Sequence, residues 1–183
     1  PMPKGFAFKA VNVDTGELAE YKTLIHSSAG EKWKGGMCNE FGRLFQGYKD
    51  IKGTDTCKFI RKRDIPQGRR ATYIRIVVAD HPRKTEPERV RMTVGGDRVD
   101  YPGEVTTKTT DLSTAKILLN SVVSTPGAKF CGFDLKDFFL GHELPRLEYA
   151  RIHRSLIPDE IMDLYDLHDK EEPDGYVYFA IYR

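Results

Sequence analysis

Residues 129–141, KFCGFDLKDFFLG, are the part of this chain best suited to chemistry. Their alternation predicts a strand with Cys131, Phe133 and Leu135 on one face and Gly132, Asp134 and Lys136 on the other. The apolar set can enter a core, which leaves the Asp134 carboxylate on the open face with Gly132 clearing space beside it. A carboxylate at the end of a buried strand can hold a divalent cation, and the Leu135 carbonyl can add a further oxygen ligand. After Lys136 the alternation stops, and Asp137, Phe138, Phe139 and Leu140 read as a turn or the first turn of a helix. Two readings of Asp134 stand side by side: a metal ligand, or an aspartate that ends a strand for local reasons.

The chain around this stretch is long enough, at 183 residues, to form one domain or one and a part. No apolar run approaches the roughly 20 residues that cross a bilayer, and nothing at the start resembles a secretion signal. The expectation is an intracellular protein, cytoplasmic or nuclear, not secreted and without a membrane partner. Cys38, Cys57 and Cys131 are odd in number and far apart, which predicts reduced thiols, and no CxxC or HxxxH spacing points to zinc. A start at Pro1 and a stop directly after an apolar strand read as a chain cut at both ends. The net charge of +2 hides a division. Residues 58–91 carry eleven Lys/Arg against four acids, a net of +7, whereas 143–174 carry ten acids against four bases, a net of −6. The basic part is either a solvated surface or a contact for a polyanion.

Read in order, Phe6, Phe8 and 11–13 offer a short strand that turns at Asp14-Thr15-Gly16. Trp33, Met37, Phe41, Leu44, Phe45 and Tyr48 recur at helical spacing and predict a helix over 29–47. Its internal glycines 35, 36 and 42 each weaken it by roughly 1 kcal/mol relative to alanine, so the helix must depend on packing. Residues 50–68 read as polar, with a basic patch at Arg61-Lys62-Arg63. Strands over 71–79 and 88–94 form a hairpin whose exposed face carries Arg75, Arg89 and Arg91. Asp111 or Thr110 caps a helix to about 124, with Ala115, Leu118, Leu119 and Val122 on its buried face. A helix over 157–167 and a last strand over 176–183 follow, the latter expected to be an exposed apolar edge that invites aggregation. The fold class expected is α+β, in three parts: an extension over 1–57 with an amphipathic helix, a region over 58–128, and a part over 129–183 that carries Asp134.

Several of these stretches together resemble the reverse transcriptase of copia-type retrotransposons, in its fingers and the first part of its palm. The resemblance covers roughly 30–183 and rests on Trp33, Met37 and Glu40, on the hairpin strand RVRMTVGG at 89–96, on the threonine-rich segment 106–125, and on DLKDFFL at 134–140. Tyr149-Ala150-Arg151-Ile152 takes the place of a Tyr-Met-Arg-Ile segment. The resemblance implies a partial fingers and palm with a basic β-hairpin, helices and an incomplete palm sheet.

It also implies roles for single residues. Asp134 becomes the first catalytic aspartate, a ligand to Mg²⁺ together with the Leu135 carbonyl, in a site where two metals about 4 Å apart act on the primer hydroxyl and the leaving pyrophosphate. Phe139 lies under the nucleotide sugar and excludes a 2′-hydroxyl, or is an ordinary core residue. Arg89 and Arg91 reach the triphosphate, where guanidinium forks suit phosphate oxygens, and Asp137 lies beside it. Arg61, Lys62, Arg63, Arg69 and Arg70 are template contacts or solvated loop. The partners implied are an RNA/DNA template–primer, a deoxynucleoside triphosphate and the remainder of the polyprotein. A Tyr-x-Asp-Asp motif does not occur in these 183 residues, so the chain by itself is expected not to polymerise DNA. The alternative is a non-catalytic nucleic-acid-binding or structural remnant of such an element. A metal-dependent hydrolase built on Asp134 and Asp137 is the third reading, without a histidine or carboxylate spaced to complete it.

Overall fold

The structure, a computed structural model, describes residues 8–99, 109–133, 135 and 138–183, with only the backbone of Phe138 and Phe139. It divides into two compact units, Pro1–Val99 with Phe139–Arg183, and Asp100–Phe138. Segments 58–99 and 139–183, separate parts of the sequence reading, therefore share one unit.

The first unit is built on a mixed sheet of five strands: β3 (Cys57–Ile60), β4 (Ala71–Asp80), β5 (Glu88–Val94), β6 (Glu148–His153) and β7 (Tyr176–Ile181). Their spatial order is β3-β7-β6-β4-β5, antiparallel throughout except for the parallel pair β4–β6. A two-stranded ribbon, β1 (Ala10–Val11) with β2 (Leu18–Ala19), and a short helix α1 (Tyr21–Leu24) precede α2 (Gly30–Leu44); α4 (Asp159–Leu164) lies between β6 and β7. With α3 (Leu112–Ser124) in the second unit, the described residues form a mixed α/β fold of four helices.

One face of the sheet is the core. Partners in a sheet point to the same side, so Phe59 opposite Phe179 opposite Ala150 opposite Thr72 form one inward row. Trp33, Met37, Phe41 and Phe45 from α2 and its C-terminal cap are buried with the inward side chains, as their helical spacing predicts. Phe45 stacks on Phe59 with ring centres 4.2 Å apart, and Phe41, Phe179 and Tyr165 close the cluster. Cys38 and Cys57 are buried free thiols; burial pushes their pKa values up to about 11 and about 12, so they stay protonated and inert at neutral pH.

α2 is fastened to the hairpin β4–β5 by polar contacts as well as apolar ones. The Met92 N–H, on the outer edge of β5, donates to the Glu40 carboxylate at 3.1 Å. Arg43 forks onto Glu86 in the hairpin loop at 2.8 and 3.0 Å. Glu40 thus blunts an edge strand that a second chain could otherwise extend. Burial raises the Glu40 pKa above its ordinary 4.5, against the opposing pull of the Met92 N–H and Arg43. A raised folded value means stability that is complete below the unfolded pKa and lost as pH rises through the folded one. Glu40→Gln keeps an oxygen for Met92 and does not titrate. The stability difference, wild type minus variant, is therefore expected to fall as pH rises from about 4 to about 7 in urea titrations. A difference that does not change with pH would contradict this assignment.

Four expectations are corrected. Residues 57–60, read as polar loop, form β3, which was too short and too mixed in pattern to stand out. Because β7 pairs with β3 on one side and β6 on the other, the last strand is an interior one: Val177, Phe179 and Ile181 are buried, and no exposed apolar edge exists there. Residues 129–133 and Leu135 form no strand, and Phe133 and Leu135 are 83% and 55% exposed rather than in a core. Alternation makes a strand only where another strand satisfies its backbone, and among the described residues none pairs with this segment. In the second unit α3 starts as expected, its Asp111 cap accepting the Thr114 N–H at 2.9 Å, but none of its residues is buried. Ala115 and Val122 are half-buried and Leu118 and Leu119 exposed, so the predicted apolar face is not buried among the described residues.

Candidate functional site

The second face of the sheet carries tyrosine and cationic side chains. The strand register sets one row, Ile60, Tyr178, Arg151 and Tyr73, across β3, β7, β6 and β4. Tyr149 and Tyr176 share this face two residues from members of that row, as does Arg75, which lies opposite Thr93. Arg91 and Arg89, opposite Val77 and Ala79, extend it onto β5. Two residues apart on one strand, these two side chains are separated by about 7 Å.

Tyrosine rings and cations pack together here. The Arg151 guanidinium lies 4.4 Å from the Tyr176 ring centre, Arg69 lies 5.5 Å from Tyr149, and Lys62 lies 5.6 Å from Tyr178. Arg98 and Arg75 flank Tyr73 at 5.2 and 6.0 Å. Such contacts place cations without neutralising them. Beyond β5, Gly95 and Gly96 turn the chain, and a cleft of about 420 Å³ opens between this turn and Tyr73, Arg75 and Thr93. A Cβ at Gly95 would come within 2.5 Å of the Tyr73 ring, so any side chain there would force that ring to move. The Tyr73 hydroxyl donates to Asp97 at 2.7 Å, which fixes the ring at the cleft wall.

Charge pairing divides the face in two. At the β3–β7 end most cations are neutralised: Arg61 pairs with Asp169 at 2.6 Å, Lys62 with Asp174 at 2.8 Å, and Arg151 approaches Asp174 at 3.8 Å, while Lys58 lies 5.2 Å from the Tyr182 ring and makes no ion pair among the described residues. Desolvation works against the Asp174 carboxylate, yet hydrogen bonds from Lys62 and Tyr178 hold its pKa below the ordinary value, while Asp174 raises that of Lys62. Arg69 pairs with Glu148 at 2.9 Å. At the β4–β5 end, Arg75, Arg89, Arg91 and Arg98 make no ion pair among the described residues. Arg63 and Arg70, both exposed, are also without one.

The structure therefore brings Arg89 and Arg91 together on one open face, joins Arg61, Lys62 and Arg69 to carboxylates, and leaves Arg63 and Arg70 in solvent. Asp134 and Asp137 lie outside the described residues, as does the Phe139 side chain; Leu135 is exposed and in no regular element. No group of three metal-ligating side chains occurs among the described residues, so Mg²⁺ at Asp134 stays an expectation of the resemblance. No helix among the described residues is long and apolar enough to cross a membrane. Sequence reading passed over Tyr73, Arg98, Arg151, Tyr176 and Tyr178. For the four on strands the signal was period two: YVYFAI puts Tyr176 and Tyr178 opposite in phase to the core residues Val177, Phe179 and Ile181, although Tyr178 is buried as well; Arg98, in the turn after β5, had no such signal.

No family model matches this chain. No curated protein or solved structure matches it either.

Proposed function

We propose that the tyrosine- and arginine-bearing face of the sheet binds a nucleic-acid strand, as the fingers and first part of the palm of a copia-type RNA-directed DNA polymerase would. The observation that carries this reading is the set of four unpaired guanidiniums, Arg75, Arg89, Arg91 and Arg98, gathered at one end of the face, whereas Arg61, Lys62, Arg69 and Arg151 have carboxylate partners. Unpaired arginines in a row gain most from phosphate, through bidentate hydrogen bonds and release of counterions. In the polymerase reading, a template–primer and a deoxynucleoside triphosphate are the ligands, and Asp134 with the Leu135 carbonyl would hold Mg²⁺. The second reading, a nucleic-acid-binding remnant without catalysis, is favoured by one observation: residues 129–133 and Leu135 lie outside any strand.

The test is Arg89→Ala/Arg91→Ala, with binding of a 20-nucleotide single-stranded RNA followed by fluorescence anisotropy over a salt series. Both residues are on the solvent side, so the fold should persist. The expected result is about tenfold weaker binding, with the slope of log K against log salt smaller by about 1.4, roughly 0.7 per lost phosphate contact. Wild-type affinity and slope in the variant, or no binding by the wild type at low salt, would overturn the proposal.

A further inference from the structure

We infer that loop 169–174 covers the β3–β7 end of this face, its carboxylates occupying the cations that a nucleic-acid strand would otherwise take. The inference rests on the nucleic-acid reading above and adds a mask within the same chain. Three carboxylates of the loop are engaged. Asp169 takes the Arg61 guanidinium through its side chain and its carbonyl. Glu172 accepts the Lys62 backbone N–H at 3.0 Å. Asp174 accepts from the Lys62 ammonium at 2.8 Å and from the Tyr178 hydroxyl at 2.7 Å, and stands 3.8 Å from Arg151. Each of these oxygens presents to its donor what a phosphate oxygen would present.

The contact is built to be displaceable. Asp169 is 66% exposed and Lys62 53% exposed, and solvent-exposed ion pairs contribute only about 0–1 kcal/mol each. Backbone bonds hold most of the loop's shape: the Glu172 N–H donates to the Tyr176 carbonyl, the Gly175 N–H to the Glu172 carbonyl, and the Arg154 N–H to the Gly175 carbonyl, while the Tyr176 N–H donates to the Asp174 side chain at 3.2 Å, a bond that the oxygen of an asparagine can also accept. Neutralising the acids should therefore uncover Arg61 and Lys62 without unfolding the loop. The consequence is that a bound strand is confined to the β4–β5 end in the native chain and extends across β6 and β7 when the mask is lifted.

The experiment compares wild type with Asp169→Asn/Glu172→Gln/Asp174→Asn in the same RNA anisotropy assay. Two further phosphate contacts should give about tenfold tighter binding and a salt slope steeper by about 1.4. Asp169→Asn/Glu172→Gln, which leaves the Asp174 bonds to Tyr178 intact, should give about half that slope change, and serves if the triple variant does not fold. Glu17→Gln/Glu20→Gln makes the same change in net charge as this double variant at another site. An equal gain from that control, or folded loop variants with wild-type affinity and slope, overturns the mask. If the loop variants behave as wild type while Arg89→Ala/Arg91→Ala still loses binding, the mask alone fails. If neither wild type nor loop variants bind RNA, both readings fail.

Discussion

Phe45→Ala is expected to lower the free energy of unfolding by about 3–5 kcal/mol, at the upper end of what one side chain can cost. Phe45 ends α2 and is fully buried, where it meets β3, β7 and the turn after α4 at once. Its ring stacks on Phe59 at 4.2 Å, meets Phe179 edge-on at 5.4 Å and touches Phe41 and Tyr165 at 5.4 and 6.0 Å. Deleting the ring removes the apolar surface that three elements share, and their backbones are tied by the sheet and cannot all move in to fill the gap. Since a domain of this kind is stable by only about 5–15 kcal/mol, the variant should be close to unfolding at body temperature. Urea unfolding followed by circular dichroism measures it. Phe45→Leu, which keeps most of the volume, should cost less than about 2 kcal/mol. A loss below about 1 kcal/mol for the alanine variant would mean that this cluster is not the centre of the core.

Two adjacent glycines of α2 should respond with opposite signs. Helix propensity alone says that alanine at either position stabilises by roughly 0.5–1 kcal/mol. At Gly35 nothing lies within 4 Å of the position a Cβ would take, so Gly35→Ala should show that gain. At Gly36 the Cβ would lie 2.5 Å from the Glu88 carbonyl oxygen and 3.0 Å from a Val90 methyl. The obstacle is strand backbone, which cannot turn aside as a side chain can, so α2 must lift from β5 and strain the Met92 bond to Glu40. Gly36→Ala should therefore cost about 1–3 kcal/mol. Urea midpoints of the two variants decide it. Two gains would show that α2 does not rest against β5.

These two positions also show how sequence and tertiary structure divide the determination of the fold. The spacing of Trp33, Met37, Phe41 and Phe45 was sufficient to find α2 and its buried stripe, because helical geometry alone decides which residues share a face. The hairpin β4–β5 and the shared face of Arg75, Arg89 and Arg91 were legible for the same reason, with period two in place of 3.6. Why Gly36 is glycine was not legible, since the reason is a carbonyl 52 residues away in sequence. Nor was the central place of β7: an apolar strand reads alike at an edge or in the middle, and only its pairing with β3 and β6 decides which.

For the candidate site the division is sharper. Residue types alone marked both Asp134 and the basic stretch 58–91 as suited to bind a metal or a polyanion. Composition could not say which cations remain available, because an ion pair between Arg61 and Asp169 or Lys62 and Asp174 joins residues more than a hundred positions apart. The sequence by itself determined the elements and the alternation of their faces, which are local properties of the backbone. Tertiary structure alone decided which arginines keep a free charge, since that depends on what the fold sets opposite them.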